Sequence, residues 1–246
     1  MDYRDPYNDW HMGNAAELCV KEYKFSREEQ DEFAISSYKK SQEAQKSGAF
    51  AHEICAVEVA QKKQTINIAE DEEPQRVMFD KIASLRPAFD KTGSITAANA
   101  STINDGAAAL VLATESAVKE QGLKPLAKIL THSTYAQDPK WFTTAPVGAM
   151  RAAVEKVNLK IDDIDLWEVN EAFSVVTMAA MKDLNINASK MNVHGGAVSL
   201  GHPIGASGAR ILTTLVHALR QKGKKLGGAS ICLGGGEGVR VLIEAM

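Results

Sequence analysis

Residues 163–184 read DIDLWEV followed by NEAFSVVTMAAMKDL, and this stretch decides the fold. The apolar run predicts a strand, and the residues after it place apolar side chains at helical spacing. Downstream, ARILTTLVHALRQK (209–222) predicts a helix, and GGASICLG (227–234) and GVRVLIEA (238–245) predict strands joined as an antiparallel hairpin. This alternating order predicts a layered α/β domain over residues 126–246, with helices covering a sheet.

Outward from this domain, the chain becomes more helical and more charged. KPLAKILTHSTYA (124–136) predicts a strand and residues 147–158 predict an amphipathic helix. Among the first hundred residues we expect a helix from Met12, a second helix that starts at a Ser26–Glu29 capping box, and a short strand within HEICAVEVA (52–60).

The region between these two parts is rich in small residues. Residues 107–113, AAALVLA, predict a strand that is buried on both faces. We therefore divide the chain into residues 1–101, residues 102–125 with this strand, and residues 126–246.

Composition excludes several classes of protein. Of the 246 residues, 45% are hydrophobic and 24% are charged, which is typical of globular domains. The net charge of −3, from 28 Lys+Arg against 31 Asp+Glu, argues against a nucleic-acid partner. No apolar run approaches the ~20 residues of a membrane helix, so we expect no membrane partner. Three scattered cysteines are too few for a disulfide framework, and no targeting segment is visible at the start.

Three loops carry residues that suit chemistry. Asn170 follows a predicted strand, His202 lies within GGAVSLGHPIGASG (195–208), and Cys232 ends a strand before a run of glycines. Each has an ordinary alternative: Asn170 as a helix N-cap, His202 as a structural histidine, Cys232 as an inert buried thiol. Cys19 and Cys55 fit core or half-buried positions. Together, the three loop residues indicate acyl chemistry with a thiol and an imidazole.

VNEAF (169–173), GGAVSLGHPIGASGAR (195–210) and CLGGG (232–236) resemble the thiolase family. TAANASTINDGAAALVL (96–112), HMGNAAE (11–17) and SREEQDEFAISSYKKSQEA (26–44) are similar to that family's sequence as well. The resemblance implies an α/β fold: a thiolase-like layered α/β/α C-terminal domain plus a mostly helical loop domain, residues 1–101, that covers coenzyme A (CoA).

The resemblance also implies an activity, the reversible conversion of two acetyl-CoA to acetoacetyl-CoA and CoA through an acyl-cysteine. His202 would activate the nucleophilic cysteine and help bind the thioester oxygen. Cys232 would remove the α-proton of acetyl-CoA. Asn170 would hold a water that completes a first oxyanion hole, and the Gly234 amide would serve a second.

The resemblance also implies which residues bind coenzyme A and a cation, the oligomeric state and the cellular location. The resemblance implies that a CoA groove is lined by His11, Tyr38, Arg76, Lys81 and Ser101. AANAS (97–101) is similar to the potassium-responsive mitochondrial branch, which would place a monovalent cation at Tyr38, Ala97, Ala98, Ala100 and Val198. Trp141 and Phe142 would help close the acyl pocket. The resemblance also implies that the full-length form is a homodimer or homotetramer. It implies a mitochondrial location, with a cytoplasmic location as the alternative.

No segment matches the small-residue elbow that carries the family's nucleophilic cysteine. We therefore expect most of the N-terminal half to be missing, the strand at 107–113 to lack neighbours and expose apolar surface, and the chain alone to be inactive. The alternative is a truncated, non-catalytic CoA-binding or dimer-partner module.

Overall fold

The computed structural model describes residues 4–62 and 64–246. Its first part is mostly helical. The elements in chain order are β1 (Arg4–Asp5), β2 (Trp10–His11), α1 (Met12–Tyr23), α2 (Arg27–Lys46), β3 (Val57–Ala60), β4 (Thr65–Ile68), α3 (Glu73–Arg76), α4 (Phe79–Ile82) and α5 (Glu115–Gln121).

The second part alternates strands and helices, as the sequence predicts. The elements are β5 (Ala127–Ala136), α6 (Ala145–Lys156), β6 (Leu166–Val169), α7 (Ser174–Leu184), α8 (Ala197–Leu200), α9 (Ser207–Gln221), β7 (Leu226–Cys232) and β8 (Glu237–Ala245), with short 3-10 segments at Pro139–Thr144, Ile161–Asp163 and Ala188–Lys190.

The four later strands form one sheet in the order β5-β8-β7-β6. β6 and β7 are parallel, whereas β7 and β8 form an antiparallel pair in which Cys232 faces Gly238. The predicted terminal hairpin is therefore confirmed. Since β6 and β7 point the same way, the residues that follow them meet at one edge of the sheet.

Helices cover both faces of this sheet. On one face, α6 and α7 pack around Trp167 and Leu242 in the larger core; on the other, α9 packs against Leu166 and Ile243. α1 joins the larger core through Cys19, which is fully buried as predicted. Ala15, Ala16 and Val20 of α1 are buried in the same core, so α1 packs on the C-terminal layer through a face of small side chains.

The start of α2 follows directly from its sequence. Ser26 Oγ accepts from the Glu29 amide at 3.1 Å, and the Glu29 carboxylate accepts from the Ser26 amide at 2.7 Å. This is the capping box that the sequence predicts. It fixes where α2 begins and therefore which of its residues face the C-terminal layer.

Two local predictions are wrong. Residues 107–113 form neither strand nor helix, and Val111 is 96% exposed. A strand is buried on both faces only when neighbouring strands and helices cover it, and no strand in the described parts of the chain pairs with this segment. Cys55 is exposed, because the strand begins two residues later, at Val57, and pairs only with β4.

None of the helices formed by residues 4–62 and 64–246 combines the length and the apolar composition needed to cross a membrane.

Candidate active site

Asn170 and Cys232 lie at the same edge of the sheet. Asn170 directly follows β6, and Cys232 is the last residue of β7. Val169 pairs with Ser230, and the Asn170 amide donates to the Ser230 carbonyl at 2.9 Å. The ladder between two parallel strands therefore places both side-chain positions where α/β proteins commonly place their sites.

His202 is brought to this edge by a tightly held loop. It follows α8 after Gly201, whose φ of 87° lies in the region that favours glycine. A Cβ on Gly201 would collide with the side chain of Asn104, so the close approach also requires glycine. The His202 amide donates to the Thr102 carbonyl at 3.0 Å and to Asn104 Oδ1 at 3.2 Å. The residues around 102–104 therefore fix the loop from the other side.

The imidazole of His202 has a polar contact at each nitrogen. Nε2 lies 3.5 Å from Asn170 Nδ2, and Nδ1 lies 2.6 Å from Ser207 Oγ. Burial, and secondarily the positive charge of Arg210, lowers the pKa of His202 to about 4. At pH 7 the ring is therefore neutral and can accept a proton.

Asn170 is fully buried, and its Oδ1 accepts no hydrogen bond from any of the described residues. The alternative interpretation of Asn170 as a helix N-cap is wrong, because α7 begins at Ser174 with Phe173 as its N-cap. A buried carboxamide with a free acceptor can bind a polar ligand or a water. Asn170 thus has spare hydrogen-bonding capacity beside His202.

Cys232 is half-buried, and desolvation raises the pKa of its thiol to about 12. At pH 7 it is therefore protonated. The turn that follows uses the amides of Leu233 and Gly236, which donate to Glu237 and Leu233. Gly234 lies between them and is exposed, and a Cβ added to it would contact the end of the Met12 side chain at 3.6 Å.

Glu171 is a residue of this site whose role the sequence did not reveal. Its carboxylate is 1% exposed and accepts from Ser37 Oγ at 2.7 Å, from Asn192 Nδ2 at 2.7 Å and from the Val198 amide at 3.1 Å. These partners lie on α2, in the loop before α8 and in α8 itself. Glu171 thus joins α2 to the segment that leads into His202.

Of the residues predicted to bind CoA, Ser101 lies beside the loops of the candidate site. Its amide and its Oγ both donate to the Ala172 carbonyl, at 3.1 and 2.9 Å. His11 caps α1, accepts from the Gly13 amide and stacks on Phe89 at 4.6 Å. These contacts leave Ser101 next to the NEAF segment and His11 at the start of the helix that shares the main core.

The other three predicted CoA contacts lie on α2, α3 and α4. Tyr38 is 7% exposed and faces the edge of Phe79. Arg76 is exposed and pairs with Glu72 and Glu73, and Lys81 pairs with Asp80 at 3.7 Å. Both cations therefore already have acidic neighbours.

The predicted cation residues are brought together in part. Tyr38 and Val198 share one small buried cluster, Ala100 belongs to the larger core, Ala98 is buried and Ala97 is exposed. Desolvation, and after it the negative charges of Glu73 and Glu171, raise the pKa of Tyr38. The described residues contain no group of three His, Cys, Asp or Glu side chains that could hold a metal ion.

The predicted acyl-pocket residue Phe142 is a core residue. It is 3% exposed and meets Phe173 at an angle of 67° with ring centroids 6.3 Å apart. Its truncation would therefore act first on stability.

A model of the thiolase C-terminal domain matches residues 123–245, half of the chain, and a model of the thiolase N-terminal domain matches residues 1–116. The chain belongs to the thiolase family. The family resemblance is thereby confirmed. The match to the N-terminal model gives no support to the expectation that the N-terminal half is largely missing.

Curated relatives and solved structures agree with this family. The acetyl-CoA acetyltransferase of Yarrowia lipolytica is 50% identical over 98% of this chain and 60% of its own length. The mitochondrial acetyl-CoA acetyltransferase of Rattus norvegicus is 52% identical over 98% of this chain and 57% of its own length. The chain thus spans about 60% of the length of such relatives.

Two crystal structures share the fold closely. The Bacillus anthracis acetyl-CoA acetyltransferase has a TM-score of 0.96 at 43% identity, and the Acat5 thiolase from Ascaris suum in complex with coenzyme A has a TM-score of 0.90 at 44% identity. Each alignment covers 99% of this chain and 62% of the other. The thiolase fold predicted from the sequence is therefore confirmed.

Proposed function

We propose that this chain carries the proton-transfer half of an acetyl-CoA C-acetyltransferase site, which converts two acetyl-CoA to acetoacetyl-CoA and CoA and runs in both directions. The observation that carries the proposal is the 3.5 Å approach of His202 Nε2 to Asn170 Nδ2, at the sheet edge where β7 ends in Cys232. The Yarrowia and Rattus relatives, both acetyl-CoA acetyltransferases, support the choice of reaction.

His202 acts as the base that activates a nucleophilic thiol. Burial lowers the pKa of the resting ring to about 4, so the ring is neutral and its Nε2 lone pair is available. The thiolate that forms beside the imidazolium offsets the desolvation of the charged ring, so Nε2 can take the thiol proton. The imidazolium so formed then donates from Nε2 to the thioester oxygen. Asn170 holds a water through its free Oδ1, and this water completes the first oxyanion hole.

Cys232 acts first as an acid and then as a base. With a pKa of about 12 its thiol is protonated at rest, so it can give its proton to the CoA thiolate that leaves when the nucleophile is acetylated. The Cys232 thiolate formed in this step then takes the α-proton of the second acetyl-CoA. The enolate attacks the acetylated nucleophile, and the Gly234 amide binds the oxyanion of that thioester.

None of the three cysteines suits the role of the nucleophile. Cys19 is fully buried, and burial raises its pKa to about 12. Cys55 is exposed before β3, outside the three loops of the site. Cys232 has the acid/base role. We infer that the nucleophilic cysteine is not part of this chain and that the chain alone does not complete the cycle.

The groove for CoA runs past His11, Tyr38, Arg76, Lys81 and Ser101. Arg76 and Lys81 would exchange their acidic neighbours for the phosphates of the nucleotide end, and Ser101 would bond the pantetheine amides. The Ascaris suum thiolase, whose crystal structure is a complex with coenzyme A, supports coenzyme A as the ligand.

We further propose a potassium ion at Tyr38, Val198 and the carbonyls of Ala97, Ala98 and Ala100. The negative charges of Glu73 and Glu171 near Tyr38 support it, as does a donor set made of oxygen atoms alone. A larger thermal stabilisation by KCl than by NaCl at equal ionic strength would support the ion, and equal effects would contradict it.

We also propose a mitochondrial location and a homodimer or homotetramer. The mitochondrial acetyl-CoA acetyltransferase of Rattus norvegicus supports the location.

Acetyl-CoA labelled in the acetyl group tests the proposal. We expect the chain to bind it, as measured by calorimetry, with affinity reduced in Ser101→Ala, and to form no stable acetyl adduct detectable by peptide mass spectrometry. An adduct on Cys19, Cys55 or Cys232 would contradict the assignment of roles. Binding without any proton exchange at the acetyl group would instead favour a non-catalytic CoA-binding module.

A further inference from the structure

Ser207, the first residue of α9, has a fully buried side chain between two partners. Its Oγ lies 2.6 Å from His202 Nδ1 and donates to the Pro203 carbonyl at 3.1 Å. A carbonyl oxygen only accepts, and a hydroxyl has a single proton. With that proton directed to Pro203, the Ser207 oxygen presents a lone pair to Nδ1, which must then carry the hydrogen.

The other side of the ring leads independently to the same arrangement. Asn170 Nδ2 is a donor and lies 3.5 Å from Nε2, which must accept to make this contact. The proton of the neutral ring therefore belongs on Nδ1. The contact with Asn170, after β6, and the contact with Ser207, at the start of α9, agree on one tautomer.

We propose that Ser207 is a positioning residue that holds the proton of His202 on Nδ1 and leaves Nε2 as the basic atom. This inference rests on the proposed function and deepens it, because in that function Nε2 is the atom that takes the proton from the nucleophilic thiol. After that transfer the imidazolium still donates from Nδ1 to the same Ser207 oxygen. The hydroxyl therefore need not rotate during the reaction, and the positive ring keeps its acceptor.

A partner that selects the tautomer matters most for a ring that is neutral. Burial lowers the pKa of His202 to about 4, so at pH 7 either nitrogen of an unconstrained ring would carry the proton. The loop backbone is already held at Thr102 and Asn104. Ser207 adds a hydrogen-bond acceptor at Nδ1, and this acceptor favours the tautomer that carries its proton there.

Long-range ¹H–¹⁵N correlation spectra of the chain labelled with ¹⁵N-histidine test this inference at pH 7. The His202→Gln variant identifies the His202 signals by their loss. We expect the wild-type chain to show a single His202 tautomer, protonated at Nδ1. In Ser207→Ala the ratio of the tautomers should move toward protonation at Nε2 by about fivefold or more, the effect of one hydrogen bond.

Two further variants separate this effect from a general disturbance of the loop. Ser207→Thr keeps a hydroxyl and should keep the Nδ1 tautomer. Thr213→Ala removes a hydroxyl bond to the Ala209 carbonyl on the same helix and should leave the His202 signals unchanged. If Ser207→Ala fails to fold, a wild-type ring protonated at Nε2 still overturns the inference, and Ser207→Gly removes the same hydroxyl with the same expected change.

A wild-type ring protonated at Nε2, or a tautomer ratio that Ser207→Ala does not change, would overturn the inference. The spectra are recorded without any CoA thioester. A chain that neither binds nor deprotonates acetyl-CoA would therefore refute the proposed function without altering this result, and the reverse also holds.

Discussion

Glu171→Gln should destabilise the chain strongly, although the two side chains have nearly the same shape. Oε2 of Glu171 accepts from both Ser37 and the Val198 amide, and Oε1 accepts from Asn192. A glutamine can keep an oxygen at the place of Oε2, where Ser37 and the Val198 amide donate, only by turning its NH₂ group toward the NH₂ group of Asn192. One hydrogen bond to a charged acceptor is then lost and two buried donors face each other, which costs about 2–4 kcal/mol.

Urea unfolding followed by circular dichroism measures this cost. For a chain of this size it corresponds to a fall in Tm of about 5–15 °C. The control is Glu115→Gln, which removes an exposed pair with Lys119 on α5 and should change the free energy of unfolding by less than about 0.5 kcal/mol. A Glu171→Gln variant as stable as this control would refute the view that Glu171 holds α2 against the loop leading to His202.

Three other predictions concern the cysteines, His202 and the exposed segment. Iodoacetamide at pH 7.5 should label the exposed Cys55 well before Cys19 and Cys232, because pKa values of about 12 keep the thiols of those two residues protonated. Peptide mass spectrometry measures the order of labelling, and early labelling of Cys232 would contradict the prediction. Folding lowers the pKa of His202 from 6.5 to about 4, so between these pH values the unfolded chain binds a proton that the folded chain does not. The free energy of unfolding should therefore decrease as the pH falls from 6.5 to 4, by about 3 kcal/mol at most. The decrease should be smaller in His202→Asn. Val111→Asp should leave the free energy of unfolding within about 0.5 kcal/mol of the wild type, since the side chain is exposed; a loss above about 1 kcal/mol would mean that the segment is packed.

The C-terminal domain follows from local patterns in the sequence. Its helices and strands are long, periodic and bounded by capping residues or glycines, so the alternating order and the final hairpin could be predicted. The pairing of β6 with β7 then places Asn170 and Cys232 at one edge, and the glycines around His202 mark a loop of close approach. Sequence reasoning could therefore find these three residues together.

Other features depend on contacts between distant segments and could not be predicted in this way. Residues 107–113 are apolar enough for a strand, and the family resemblance predicts that they lack neighbours and expose apolar surface, but periodicity does not reveal that the segment then forms no strand at all. Glu171 is one of many acidic residues until Ser37 and Asn192, distant in sequence, are seen to meet it. Ser207 likewise looks like an ordinary small residue in a glycine-rich loop. Its contact with His202 depends on how that loop turns into α9.

Proton exchange at the acetyl group of acetyl-CoA tests the central claim most directly, because it needs Cys232 and the first oxyanion hole but no nucleophilic cysteine. The chain is incubated with acetyl-CoA in D₂O, and deuterium in the methyl group is measured by mass spectrometry. Since the Cys232 pKa is about 12, the exchange rate should rise about tenfold per pH unit between pH 7 and 9 and should be lost in Cys232→Ser but kept in Cys19→Ser. An exchange rate in the wild type no higher than in Cys232→Ser would contradict the claim that Asn170, His202 and Cys232 form a working proton-transfer site.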